Sequence, residues 1–115
     1  MTVELGRRLV GEFIGTFFLL AAVVGSGIMA EQLTSDLGLQ LLQNALATAG
    51  VLTALILAFM NVSGAHFNPA VTLTDLAMGG IERSAAAWSV VAQVAGGIRG
   101  VIAANGMCDL PAVEW

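Results

Sequence analysis

The chain has 115 residues, of which 57% are hydrophobic and 10% charged, with a formal net charge of −4 and a mean hydropathy of +0.88. Ordinary soluble domains carry about 25% charged residues, so this composition predicts a membrane protein. The four basic residues, all arginines, are too few and too scattered for a nucleic-acid surface, and the single cysteine, Cys108, excludes an internal disulfide or a cysteine-based zinc site.

The first apolar run, residues 9–30, predicts a membrane-spanning helix. Only three of its positions are polar, Glu12 among them, and at ~1.5 Å per helical residue it can cross a ~30 Å hydrocarbon core. A secretory signal peptide is the alternative, because Arg7 and Arg8 precede the run. However, the run exceeds the ~7–15 apolar residues of a signal peptide and contains an acid. A short acidic connection, residues 31–38, follows.

Two further runs, residues 39–62 and 84–107, also predict spanning helices. The later run is rich in small residues, and its Gly96, Gly97 and Gly100 share one helical face. Because small faces let membrane helices approach closely, this helix is expected to pack tightly against a neighbour. We therefore predict a single membrane domain that covers the whole chain.

The arginines predict the orientation of the chain. Arg7 and Arg8 precede the first span and Arg83 lies between the second and third, whereas the other two connections carry acids and no basic residue. By the positive-inside rule, the N-terminus is cytoplasmic and the C-terminal tail, with Asp109 and Glu114, is outside. We expect a multi-pass protein of the cell membrane, with the lipid bilayer as its surroundings.

Between the second and third spans, the decamer SGAHFNPAVT (residues 63–72) predicts a loop that dips into the membrane. The whole segment of residues 63–80 is too apolar for a solvated loop and too short to cross the membrane and return as two helices. Asn68 is a favoured N-cap, Pro69 suits the first helical position, and Gly79 can end the helix. The predicted helix, from about residue 69 to 78, covers roughly half a bilayer.

A half-helix of this kind would aim its positive dipole end and the Asn68 amide at the middle of the membrane. These groups can donate hydrogen bonds to the oxygen of a neutral permeant and repel cations and protons. The carbonyl groups of Gly64, Ala65 and His66 would supply acceptors along the approach. Glu12 is costly inside a bilayer, so it is expected to find its partner in the N–H groups of the loop or in His66.

Plain structural explanations exist for each of these residues taken alone. An Asn-Pro step usually marks a turn or a helix start, and a lone histidine is usually a structural hydrogen-bonding group. One histidine cannot form a metal site, so neither a metal nor another cofactor is expected. The functional interpretation depends on the whole constellation.

That constellation closely resembles the first half of the aquaporin and glycerol-facilitator family, through SGAHFNPAVT, Glu12 in GEFIGTFFLL and Gln93 in AQVAGG. The likeness covers about residues 10–110. It implies an all-α membrane fold of two inverted repeats, each with three transmembrane helices and one re-entrant half-helix, of which this chain holds one. In the family, two Asn-Pro-Ala motifs meet at mid-membrane and form a pore for water or small neutral solutes.

The resemblance also implies roles for individual residues. The first Asn-Pro-Ala motif would be Asn68, Pro69 and Ala70. Glu12 would be the buried carboxylate that holds the loop, and Gln93 would support it from the third helix. Thr48, twenty residues before Asn68, falls where the family places one residue of its narrow outer filter. A threonine there, in place of a bulky aromatic residue, resembles the wider members that pass glycerol or metalloid hydroxides.

The chain also departs from the family pattern. The second Asn-Pro-Ala motif and the filter arginine that follows it do not occur in these 115 residues, so one copy cannot enclose the pore. We therefore expect a half-length channel that conducts only when it pairs with a second half, as a homo-oligomer or with a complementary second-half chain. The alternative is a non-conducting truncated fragment, or a subunit that associates with other membrane proteins through its Gly-rich third helix.

An enzyme is not expected, because the sequence offers no nucleophile paired with a base and no phosphate-binding loop. Arg99 is a second departure, since it lies inside the third span about 100° or more from the glycine face. A central arginine costs at least ~2.5–3.5 kcal/mol on insertion scales. It could snorkel to the interface, meet a partner chain, or mark a sequence that is no longer selected for transport.

Overall fold

The computed structural model describes residues 3–108, and its four regular elements are all α-helices. They are α1 (Val3–Leu33), α2 (Leu37–Ser63), α3 (Pro69–Ala77) and α4 (Arg83–Met107). Helices α1, α2 and α4 are long and apolar enough to cross a membrane, whereas α3 has only 9 residues. This confirms the predicted fold class. Asp109 and Glu114, assigned above to an outer tail, lie outside the described residues.

Local capping interactions set the limits of α2. The side chain of Asp36 accepts the backbone N–H of Leu39 at 3.1 Å and starts the helix. Gly64 ends it with a left-handed backbone (φ +83°) and bonds its N–H to the carbonyl of Met60. Glycine adopts this conformation without a steric penalty, so the chain can leave the helix sharply at this point.

Helix α1 lies at the centre of the described bundle, with α2 on one side, α4 on the other, and α3 packed against α4. Gly96 and Gly100 of α4 rest directly on the backbone of α1. A Cβ atom at either position would collide with the carbonyl oxygen of Phe13 or Phe17, respectively. The predicted close packing through small residues is therefore confirmed. Helix α1 therefore covers the glycine face of α4.

Much of the remaining apolar surface is left uncovered by the chain itself. In the most apolar 18-residue window of α2 only 6% of residues are buried, against 22% in α1 and 28% in α4. Leu41, Leu46 and Leu57 of α2 are 65% to 80% exposed. Apolar area of this extent requires lipid or another protein chain as its neighbour.

Arg99 finds partners within the chain. Its Nη1 donates to the carbonyl of Ala95, one turn earlier in α4, at 3.3 Å. Its guanidinium carbon also lies 5.7 Å from the centre of the Phe13 ring on α1. A cation–π contact and a carbonyl acceptor together offset part of the cost of placing this charge on a spanning helix.

The loop and half-helix as candidate functional site

The half-helix α3 begins with a polar cap. The Oδ1 atom of Asn68 accepts the backbone N–H of Ala70 at 2.8 Å, and Pro69 takes the first helical position. Because the Ala70 N–H is a donor, it must bond to the amide oxygen of Asn68, and the Nδ2 group on the other side of the amide is turned away from the helix. Asn68 is exposed. The nine residues of α3 span about 14 Å, close to half of a hydrocarbon core.

The loop between α2 and α3 has an unusual backbone. Ala65 and Phe67 both have φ of +55°, a left-handed conformation that costs a non-glycine residue about 1–3 kcal/mol. The buried Phe67 N–H donates to Oε1 of Glu12 at 2.9 Å. The Phe67 ring covers Gly15, where any Cβ would collide with it, and meets the Phe59 ring edge-on at 6.0 Å between centroids. Contacts with α1 and α2 therefore impose the conformation of the loop.

Glu12 is the centre of a buried polar network. It is 0% exposed and accepts a second hydrogen bond on Oε1, from Nε2 of Gln93, at 2.7 Å. The same Nε2 group donates to Oγ1 of Thr72 at 2.8 Å. The expectation that a loop N–H group partners Glu12 is thus confirmed at Phe67. Two side chains, one from α1 and one from α4, tie the loop and the half-helix to the spanning helices.

His66 does not partner Glu12, and the prediction that it could is wrong. Its Nδ1 lies 2.9 Å from Oγ1 of Thr72 and its Nε2 lies 3.3 Å from Oδ2 of Asp75. The reason is the backbone turn, which directs the N–H and ring of Phe67 toward α1 and the preceding imidazole toward α3. The polar network therefore continues from Glu12 through Gln93 and Thr72 to the His66–Asp75 pair.

The three carbonyl groups expected to line the approach are free to accept. Within residues 3–108, the carbonyl oxygens of Gly64, Ala65 and His66 accept no hydrogen bond. Gly64 and Ala65 are half-buried, and the His66 side chain is 10% exposed. Beside them an open groove of about 410 Å³ follows α3. It is lined by His66, Ala70, Val71, Thr74, Asp75 and Met78.

Thr48 lies apart from this network. It sits on α2 about 22 Å before the loop, from fifteen residues at ~1.5 Å each. It is half-buried, and its hydroxyl is buried with no hydrogen-bond partner in the described part of the chain. The structure thus brings together Glu12, Gln93 and the loop, and leaves Thr48 toward the opposite end of α2.

Thr72 and Asp75, which the structure places in the network, were not predicted to have a role. Their spacing was the available signal, because residues three and four apart share a helical face. Thr72 follows the Asn68 cap by four residues and Asp75 follows Thr72 by three. Gly15 was also missed, although it lies one turn after Glu12 on the same side of α1.

Residues 1–110 match the Major intrinsic protein family. The chain belongs to that family. It is 49% identical over 111 residues to the aquaglyceroporin AqpS of Rhizobium meliloti (strain 1021). The matched region covers 96% of this chain and 48% of AqpS. This confirms the resemblance to aquaporins and glycerol facilitators.

Two further relatives of this major intrinsic protein are more distant. Aquaporin A of Dictyostelium discoideum is 37% identical over 89 residues, which is 77% of this chain and 32% of the relative. The neurogenic protein big brain of Drosophila melanogaster is 34% identical over 99 residues, 86% of this chain and 14% of the relative. The chain therefore spans about half, or less, of the length of these proteins.

Proposed function

We propose that this chain of the major intrinsic protein family supplies one half of a pore for water and small neutral solutes, and conducts when a second half completes the pore. The proposal rests mainly on the position of the Asn68 side chain. Its oxygen accepts from the helix that it caps, which leaves its amide NH₂ group for another partner. The residue is exposed, at the N-terminus of a helix about half as long as the hydrocarbon core is thick.

The chemistry of this arrangement suits a neutral permeant. The Nδ2 group of Asn68 offers two N–H donors, and the positive end of the α3 dipole lies at the same point. Both stabilise the oxygen lone pairs of water or a polyol and disfavour protons and cations. The carbonyl groups of Gly64, Ala65 and His66, which have no partner within residues 3–108, supply acceptors for the hydrogens of the permeant.

The network around Glu12 keeps this loop in place. A left-handed backbone at Ala65 and Phe67 is unfavourable unless neighbouring groups hold it. The bond from Phe67 to Glu12, and the bond from Gln93 to the same oxygen, supply that restraint from two different helices. We propose that Glu12 and Gln93 support the loop and do not contact the permeant.

We further propose that the pore admits solutes larger than water, such as glycerol or metalloid hydroxides. The support is Thr48, the residue at which the resemblance implies a filter position. Its side chain is small, and its hydroxyl has no hydrogen-bond partner among the described residues. One relative is named an aquaglyceroporin. A small polar residue leaves room for a polyol and offers it a hydrogen bond, whereas a bulky aromatic residue would exclude it on size.

The arginine distribution supports a cytoplasmic N-terminus and an outer C-terminal tail. An inverted repeat needs both orientations, so a complementary second half fits better than a homodimer. The largely uncovered α2 offers apolar surface for lipid or for that partner.

Cys108 follows α4 and is half-buried. A membrane-impermeant maleimide is expected to label it in intact cells, and labelling only after lysis would contradict this orientation.

The pore itself is tested by osmotic-jump light scattering on liposomes. Three proteins are compared with empty liposomes: this chain, AqpS, and a hybrid in which this chain replaces the matched 48% of AqpS. We expect the hybrid to shrink faster than empty liposomes and to re-swell in glycerol. A hybrid that is helical and monodisperse, but no faster than the empty control, would refute the proposal. Flux through the chain alone would mean that copies of it pair.

A further inference from the structure

A second polar site lies away from the loop. An open cleft of about 1070 Å³ is formed by the first turns of α1, the last turn of α2 and the start of α4. One end of each of the three long helices meets there. Because these helices are long enough to cross the hydrocarbon core, their ends lie at the level of the lipid headgroups.

Four charged side chains line this cleft. Arg7, Arg8 and Glu4 of α1 line it together with Glu82, yet none of the four forms an ion pair within residues 3–108. The Nε atom of Arg8 is buried and has no hydrogen-bond partner among the described residues. Glu82 takes the N-cap position of α4 but makes no side-chain cap bond. A buried guanidinium nitrogen without a partner is costly, so an acceptor supplied from outside the chain would stabilise it.

The rest of the lining is mixed, because the polar side chains of Asn61 and Ser84 lie beside apolar and aromatic ones. Val62 and Ile81 contribute alkyl surface, and Trp88, one turn into α4, is 49% exposed. Tryptophan is enriched at the membrane interface, where its ring contacts lipid and its N–H meets polar groups. The cleft therefore combines two cations, two carboxylates and an apolar wall in a single headgroup-level cavity.

We propose that this cleft binds a phospholipid headgroup that carries both a phosphate and a primary ammonium, the chemistry of phosphatidylethanolamine. The phosphate is held by Arg7 and Arg8, because guanidinium groups form charge-assisted hydrogen bonds with phosphate oxygens. The ammonium is held by Glu4 and Glu82, and Trp88 contacts the glycerol and upper acyl region. A quaternary ammonium cannot donate these hydrogen bonds, and a headgroup without a cation would leave both carboxylates unpaired.

This site is independent of pore conduction, so it is tested by lipid binding. The purified 115-residue chain in detergent is mixed with phosphatidylethanolamine, phosphatidylcholine and phosphatidylglycerol of identical acyl chains, and bound lipid is measured by native mass spectrometry. We expect phosphatidylethanolamine to bind about tenfold more tightly than the other two, as expected for one or two charge-assisted hydrogen bonds. Equal binding of the three lipids would overturn the proposal without any mutation.

Matched variants locate the site. Arg7→Gln with Arg8→Gln is expected to weaken phosphatidylethanolamine binding about tenfold or more. Arg83→Gln removes the same charge at the same end of the bundle, but outside the cleft, and is expected to leave binding unchanged. Unchanged binding in the double variant, with helicity equal to the wild type by circular dichroism, would overturn the assignment. Displacement of the lipid by inorganic phosphate would identify free phosphate as the ligand and overturn the lipid proposal.

Discussion

Replacing Glu12 with leucine tests how the loop is held in place. The change keeps a side chain of similar size but removes the oxygen that accepts from Phe67 N–H and from Gln93 Nε2. Each buried donor left without an acceptor costs ~1–3 kcal/mol, so the sum is ~2–6 kcal/mol. The other oxygen, Oε2, has no partner in the described part of the chain, and its removal returns part of this cost. We therefore expect Glu12→Leu to lower the free energy of unfolding by ~2–4 kcal/mol.

The assay is reversible unfolding in mixed detergent micelles, followed by circular dichroism, together with hydrogen exchange at the Phe67 amide. A loss of ~2 kcal/mol corresponds to exchange faster by on the order of 30-fold. Thr16→Val is the matched control, because it removes a buried hydroxyl without a partner one turn further along α1. Glu12→Gln keeps an acceptor oxygen, so its free energy of unfolding is expected to lie between those of Glu12→Leu and Thr16→Val. Equal stability of Glu12→Leu and Thr16→Val would refute the restraint by Glu12.

Two other substitutions test the helix packing and the filter. Gly96→Ala is expected to cost ~1–3 kcal/mol in the same unfolding assay, because its Cβ would collide with the Phe13 carbonyl. Gly106→Ala is the control, because it is also in α4 but its new Cβ would have no described atom within 4 Å, and it should raise the free energy of unfolding by ~0.5–1 kcal/mol. A lower free energy of unfolding in both variants would argue against close packing at Gly96. In the AqpS hybrid, Thr48→Phe is expected to slow glycerol re-swelling more than water efflux, and an equal effect on both would remove Thr48 from the filter.

The elements of this fold could be predicted because their signals are local. Pro69 after Asn68 marks the start of α3, and the left-handed Gly64 and Gly79 mark the ends of α2 and α3. The length of each continuous apolar run is also a local signal, and it identifies the spanning helices. Gly96 and its neighbours indicated a close contact, although the sequence could not tell that the contact is with α1.

The partners of His66 could not be predicted, because they depend on the direction in which the loop backbone turns. Nothing local requires Phe67 to adopt φ of +55°, since this conformation is imposed by contacts 55 positions away in sequence, at Glu12. Once Phe67 faces α1, His66 faces the half-helix and meets Thr72 and Asp75. Glu12, Gln93 and His66 could thus be identified from the sequence before their connections were known. Thr72 and Asp75 could not.

The most direct test of the central claim is osmotic water flux through the AqpS hybrid with Asn68→Asp. Aspartate is also a favoured N-cap, so α3 should still form, while the two amide donors are replaced by a carboxylate at the pore. Asn61→Asp makes the same change on α2, outside the loop. We predict that Asn68→Asp reduces flux to the level of empty liposomes and that Asn61→Asp leaves it unchanged. Equal flux in the two variants would contradict the pore role of Asn68.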